Sequence, residues 1–222
     1  MTTIAIDLQP QCRFSCHAAN DTAHVYQPEQ IVAELNQQAQ YADLRLLVEN
    51  TSAISHTLCN SVNNHIKTAT SHQYFIFDKL SRLQHKAEQC RGLHFLSGLP
   101  CPADYDHEIE TEANENTSAC FHDTQQSRST GLLEWLFAQQ THTIIIGGLA
   151  TEHAIRKTAS QLCWYGGSWN VIVNLAACRG YTPEGIIQAV YDMRHAGVTV
   201  INDSSELPAL LHTTAQPQYR VV

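Results

Sequence analysis

Three things are scarce in this chain: long apolar runs, basic charge and paired cysteines. No apolar stretch approaches the roughly 20 residues that a membrane-crossing helix needs, so a bilayer-spanning role is not expected. Lys and Arg number 13 against 21 Asp and Glu, a formal net charge of −8. A nucleic-acid or anionic-membrane partner requires a basic face, which this balance does not offer. The eight cysteines contain no CxxC pair, and eight thiols in 222 residues do not make a disulfide scaffold. Cys12 and Cys16 have a spacing that metal ligands use, yet no second knuckle follows, and the thirteen histidines are scattered. The opening residues read as a strand rather than as a secretion signal, so the expected location is cytoplasmic.

The chain does contain alternating strand and helix patterns, and its 222 residues suit one core with a loop excursion. Strands are predicted over 3–7, 44–48, 143–147, 169–174 and 198–201, and helices over 28–40, 130–140, 151–165 and 183–196. Pro28 and Pro183 suit first helical turns, and Gly197 suits a helix end. Such alternation predicts right-handed crossovers and a mostly parallel sheet with helices on both faces. Ligands then bind beyond the carboxyl ends of the strands, where strand order reverses. Asp7 and the turn over 147–154 both fall at such ends.

The apolar run Thr143-Ile144-Ile145-Ile146 leads into Gly147-Gly148-Leu149-Ala150-Thr151-Glu152-His153-Ala154. A strand, a tight turn and a helix start leave backbone N–H groups unsatisfied, a geometry that can hold an anion or an oxyanion. The segment resembles the Gly-x-Ala-Thr-Asp-x-Cys-Val motif of the nicotinamidase and isochorismatase superfamily of cysteine hydrolases. Four further stretches are similar in the same order. They are Thr3-Ile4-Ala5-Ile6-Asp7-Leu8-Gln9, Ser118-Ala119-Cys120-Phe121-His122-Asp123, Asn174-Leu175-Ala176-Ala177-Cys178-Arg179-Gly180 and Met193-Arg194-His195-Ala196-Gly197-Val198. Bacterial nicotinamidases are the nearest pattern, and the resemblance fades over roughly 50–115. It implies an isochorismatase-like three-layer α/β sandwich around a mostly parallel six-stranded sheet. It further implies one hydrolase-type domain over 1–222, with a divergent lid and metal-loop region at about 50–115.

Carried over residue by residue, the resemblance implies a damaged site. Asp7 stands at the acid/base position, but the nucleophile position is Ala154, whose methyl group cannot attack a carbonyl. The triad lysine aligns with Ile109 or Glu110, and no Lys falls between Lys86 and Arg128. A carboxylate at Glu110 is expected to reverse the local electrostatics and raise the Asp7 pKa. The backbone N–H groups of Ala150 and Ala154 stand where the oxyanion hole would be, with a cis peptide implied at Leu149–Ala150. Phe14 corresponds to the aromatic wall of the substrate pocket. Of the family's divalent metal site, for Zn or Fe, only His56 and His85 have counterparts. Asn50 and Ser52 replace the Asp and first His, a weak set of donors, so no cofactor is expected, although Glu49, His65 or His72 could complete a Zn or Fe site.

The reading that follows is a nicotinamidase-like protein inactive as a cysteine amidase, binding a small aromatic or amide ligand or serving as a noncatalytic subunit. Homo-oligomers are compatible with it; nucleic acid and membrane partners are not. The alternative is a hydrolase of altered chemistry with Asp7 as general acid or base. Isochorismatases can lack the Cys because vinyl-ether hydrolysis needs proton donation rather than an acyl-enzyme. A third class is an interaction protein whose ancestral pocket is filled by side chains.

Overall fold

The computed structural model describes residues 2–11, 25–50, 95–111 and 118–213. Among them, six strands form one sheet: β1 (Thr2–Leu8), β2 (Leu44–Asn50), β3 (His107–Thr111), β4 (Thr141–Leu149), β5 (Asn170–Arg179) and β6 (Thr199–Ile201). Their order is β3-β2-β1-β4-β5-β6, and every pairing is parallel. The predicted α/β sandwich is therefore the observed one.

The strands are apolar on both sides because helices cover both faces. On one face, Ile4, Ile6, Leu8, Leu46, Val48, Ile144, Ile146, Val171 and Val173 form a core with α2 (Leu132–Ala138), α3 (Arg156–Gly166) and α4 (Pro183–His195). The other face carries α1 (Val32–Ala39) and α5 (Leu207–Thr213), which bury Leu35 and Leu207 against it. Side chains alternate across a strand, so Asp7 points away from the larger core and toward the α1 face.

Several expected boundaries shift for physical reasons. The helix expected over 28–40 starts as a 3₁₀ turn, Pro28–Ile31, before α1. The helix expected over 151–165 opens with a wide π-type turn, Thr151–Ile155, ahead of α3. That expected over 130–140 is the shorter α2. The start of α4 is as read: the Thr182 hydroxyl accepts from the Gly185 N–H at 3.0 Å, and Pro183 follows. The strands gain β3 at one edge, and the helices gain α5. β3 falls inside the region expected to be lid and metal loop.

Two glycines bring β4 into place. A Cβ on Gly147 would lie 2.6 Å from the Leu35 Cδ2 and 2.7 Å from the Ala177 Cβ, so its bareness lets α1 sit close to the sheet. Gly148 has φ 136°, and a Cβ there would lie 1.9 Å from the Leu8 carbonyl oxygen. No side chain fits. The order reverses between β1 and β4, so Asp7 and the turn after β4 both flank the switch point.

Candidate active site

Asp7 lies near the end of β1, in register with Leu47 of β2 and Gly147 of β4, and is completely buried. One of its oxygens carries three donors. The Arg45 guanidinium reaches Oδ2 through Nε at 3.0 Å and Nη2 at 2.6 Å, and the Tyr105 hydroxyl donates to it at 2.7 Å. Arg45 also donates to the Asn36 side-chain oxygen on α1 at 3.0 Å, and its guanidinium sits 5.2 Å from the Tyr105 ring centroid. Asp7 Oδ1 is buried and accepts no hydrogen bond among the described residues.

Burial raises the Asp7 pKa above its ordinary value, while the Arg45 charge and the Tyr105 hydrogen bond pull it back down. The same burial, joined by the Asp7 charge, pushes the Tyr105 phenol far up. Tyr105 is thus a proton donor that keeps its proton. The charge beside Asp7 is a cation, which corrects the expectation that Glu110 reverses the local electrostatics. Glu110 is exposed on β3, in register with Glu49 of β2, and contributes nothing to the Asp7 shift. Neither Arg45 nor Tyr105 was legible as a site residue. Arg45 looks like a polar interruption at the start of an apolar strand, and Tyr105 lies 98 positions from its partner.

On the other side of the switch point, the Leu149–Ala150 peptide is cis, as the motif implies. Ala150 is extended (φ −98°, ψ 148°), and its carbonyl accepts from the N–H groups of His153 at 3.2 Å and Ile155 at 3.3 Å. Ala154 is buried within the larger core, in the cluster that holds Cys120, Phe121 and Ile155. Glu152 fixes the turn from outside: its Oε1 accepts from the N–H groups of Tyr181 at 2.7 Å and Thr182 at 3.0 Å. This carboxylate replaces the Asp of the motif and ties the turn to the loop before α4.

Three of the four described free thiols are ill placed to act as nucleophiles. Burial pushes Cys120 and Cys178 each up to about 12, and Cys163 up to about 11. Thiolate is scarce at such values. Phe14, His56 and His85 lie outside the described residues. Among the described residues no group of three His, Cys, Asp or Glu could hold a metal ion. Asn50 supplies an amide where the motif has a carboxylate, and its main chain is held by the Gln11 side chain at 3.2 Å and 3.3 Å.

A cavity of about 450 Å³ opens among Ser118, Asp123, Arg156, Lys157, Ser160 and Asp192. It lies against α3 and α4, on the opposite side of the sheet from the Asp7 carboxylate.

Known proteins sharpen this picture. No family model matches the chain. The nicotinamidase/pyrazinamidase of Mycobacterium tuberculosis is 29% identical over 122 residues, covering 50% of this chain and 62% of its own length. An isochorismatase family protein from Desulfovibrio vulgaris superposes with a TM-score of 0.63 at 18% identity, over 95% of this chain and 98% of that one. The fold is that of the nicotinamidase and isochorismatase superfamily. A second superfamily structure, the L. infantum protein PnC1 in complex with nicotinate, gives 0.59 at 15% identity, over 92% and 93% of the two chains.

Proposed function

We propose that this protein is a nicotinamidase-like protein without cysteine-amidase activity, serving as a small-ligand binder or as a noncatalytic subunit. The observation that carries the reading is the residue at position 154: where the motif has its thiol this chain has Ala154, buried in the larger core, so Asp7 has no thiol there to deprotonate. Asp7 Oδ2 is taken up by Arg45 and Tyr105, while Oδ1 accepts no hydrogen bond among the described residues. The carboxylate acts as the centre of a buried ion pair. A small aromatic acid or amide is the ligand class in view, because PnC1 of L. infantum was solved with nicotinate.

The test is ammonia release from nicotinamide and from pyrazinamide by the purified chain, with and without added Zn²⁺ or Fe²⁺. No release above the blank is expected at any pH. Robust turnover that survives purification would overturn the reading. Titration with nicotinate by calorimetry then separates a binder from a subunit with no pocket.

One observation favours a second reading. The Asp7 pKa is raised and its Oδ1 has no hydrogen-bond partner among the described residues, which are properties of a general acid. In that case Asp7 would protonate a vinyl ether such as isochorismate. Measurable isochorismate hydrolysis that Asp7→Asn abolishes would establish it, and hydrolysis indifferent to that change would remove it.

A further inference from the structure

The outward face of α4 carries large apolar side chains that the fold does not cover. Ala189 and Met193 turn inward, while Ile187 is 70% exposed and Tyr191 59% exposed. At 3.6 residues per turn, Glu184, Ile187, Tyr191 and Arg194 fall within about 80° of one another, forming one stripe along the helix. The Tyr191 ring is steadied by His195, with centroids 4.0 Å apart, and the His195 ring nitrogen Nδ1 lies 2.9 Å from the Tyr191 carbonyl. On α3, which is held to α4 by the Arg156–Asp192 ion pair at 2.8 Å, Trp164 is 81% exposed.

The stripe is symmetric about Ala189 in both chemistry and spacing. Ile187 and Tyr191 stand equally far on either side of that midpoint, and Glu184 and Arg194 stand equally far beyond them. Two antiparallel copies of the helix related by a twofold axis match each position to its mirror position. The register that sets Ile187 on Tyr191 of a second copy therefore also sets Glu184 on Arg194 of that copy, and each contact occurs twice. Any other register loses this charge match.

We propose that the outer face of α4 is a self-association surface, on which two copies of this chain pair antiparallel through Ile187, Tyr191, Glu184 and Arg194. The occupant is a second copy because the stripe complements itself: acid at one end, base at the other, apolar between. One helix pair buries less than the roughly 800 Å² per partner of standard interfaces, so the dimer is a weak one. This inference is independent of the reading of the Asp7 site.

Analytical ultracentrifugation of the full chain across a concentration series tests it. The expected result is a reversible monomer–dimer equilibrium. Ile187→Asp should abolish the dimer. Glu184→Arg faces arginine with arginine twice per dimer and should weaken association by roughly tenfold or more. The double exchange Glu184→Arg with Arg194→Glu should restore it, since the charges match again. All these positions are exposed, and far-UV circular dichroism checks that the variants fold. A chain monomeric at every concentration would overturn the proposal. So would a dimer indifferent to Ile187→Asp, or a double exchange that fails to recover association.

Discussion

At the scale of single residues, Asp7 and Arg45 form a pair whose removal is asymmetric. Asp7 is fully buried and the Arg45 side chain is 16% exposed, so either partner left alone faces a low-dielectric surrounding. Arg45→Met should destabilise the protein by about 3–5 kcal/mol in urea unfolding, because it strands a buried carboxylate. Tyr105→Phe removes one of three donors and should cost about 1 kcal/mol. The pH dependence has a definite sign. Burial raises the folded-state Asp7 pKa above its ordinary 3.8, so the native state binds the proton more tightly than the unfolded chain does. Stability from this group is then fully present below pH 3.8 and falls as the pH rises through the folded pKa. Asp7→Asn should flatten that limb of the urea midpoint against pH, whereas an unchanged slope would assign it to other groups.

At the scale of elements, the turn between β4 and α3 depends on a backbone that admits no side chain. Gly148→Ala would drive a methyl group into the Leu8 carbonyl and should cost more than about 3 kcal/mol, read as a lower thermal midpoint. This turn was legible in the sequence because an apolar β-branched run, paired glycines and a helical pattern each leave their own signature. Strands β1, β2, β4, β5 and β6 were legible for the same reason. β3 was not among the expected strands: His107-Glu108-Ile109-Glu110-Thr111 is an edge segment in which only Ile109 is an apolar buried residue. α5, Leu207–Thr213, was likewise not among the expected helices. The π-type turn at Thr151–Ile155 has no spacing rule to betray it. Arg45 and Tyr105 became visible only when parallel pairing brought β2 and the 95–111 segment beside β1. Long-range contacts of that sort have no local signal.

At the scale of the whole molecule, the fold is shared with solved structures at low sequence identity. The sheet, the switch point and the β4 turn persist with little identity to solved relatives, because they depend on apolar volume and backbone shape rather than on reactive groups. Restoring the motif residues tests the proposed absence of amidase chemistry. Ala154→Cys with Glu110→Lys should yield a thiol no more reactive toward iodoacetamide than Cys120, because position 154 is buried in the same cluster, and no measurable nicotinamide turnover. Turnover in that variant would mean that Asp7 can leave Arg45 and serve a thiol after all.

The Asp7 carboxylate gathers β1, β2, α1 through Asn36, and the stretch before β3 through Tyr105, fastening four segments at a single point. A clasp of this kind makes the sheet margin fail as a unit. With it cut in Arg45→Met, backbone amides of β3 should exchange with deuterium well before those of β4 and β5, which makes this carboxylate the latch of a local unfolding event.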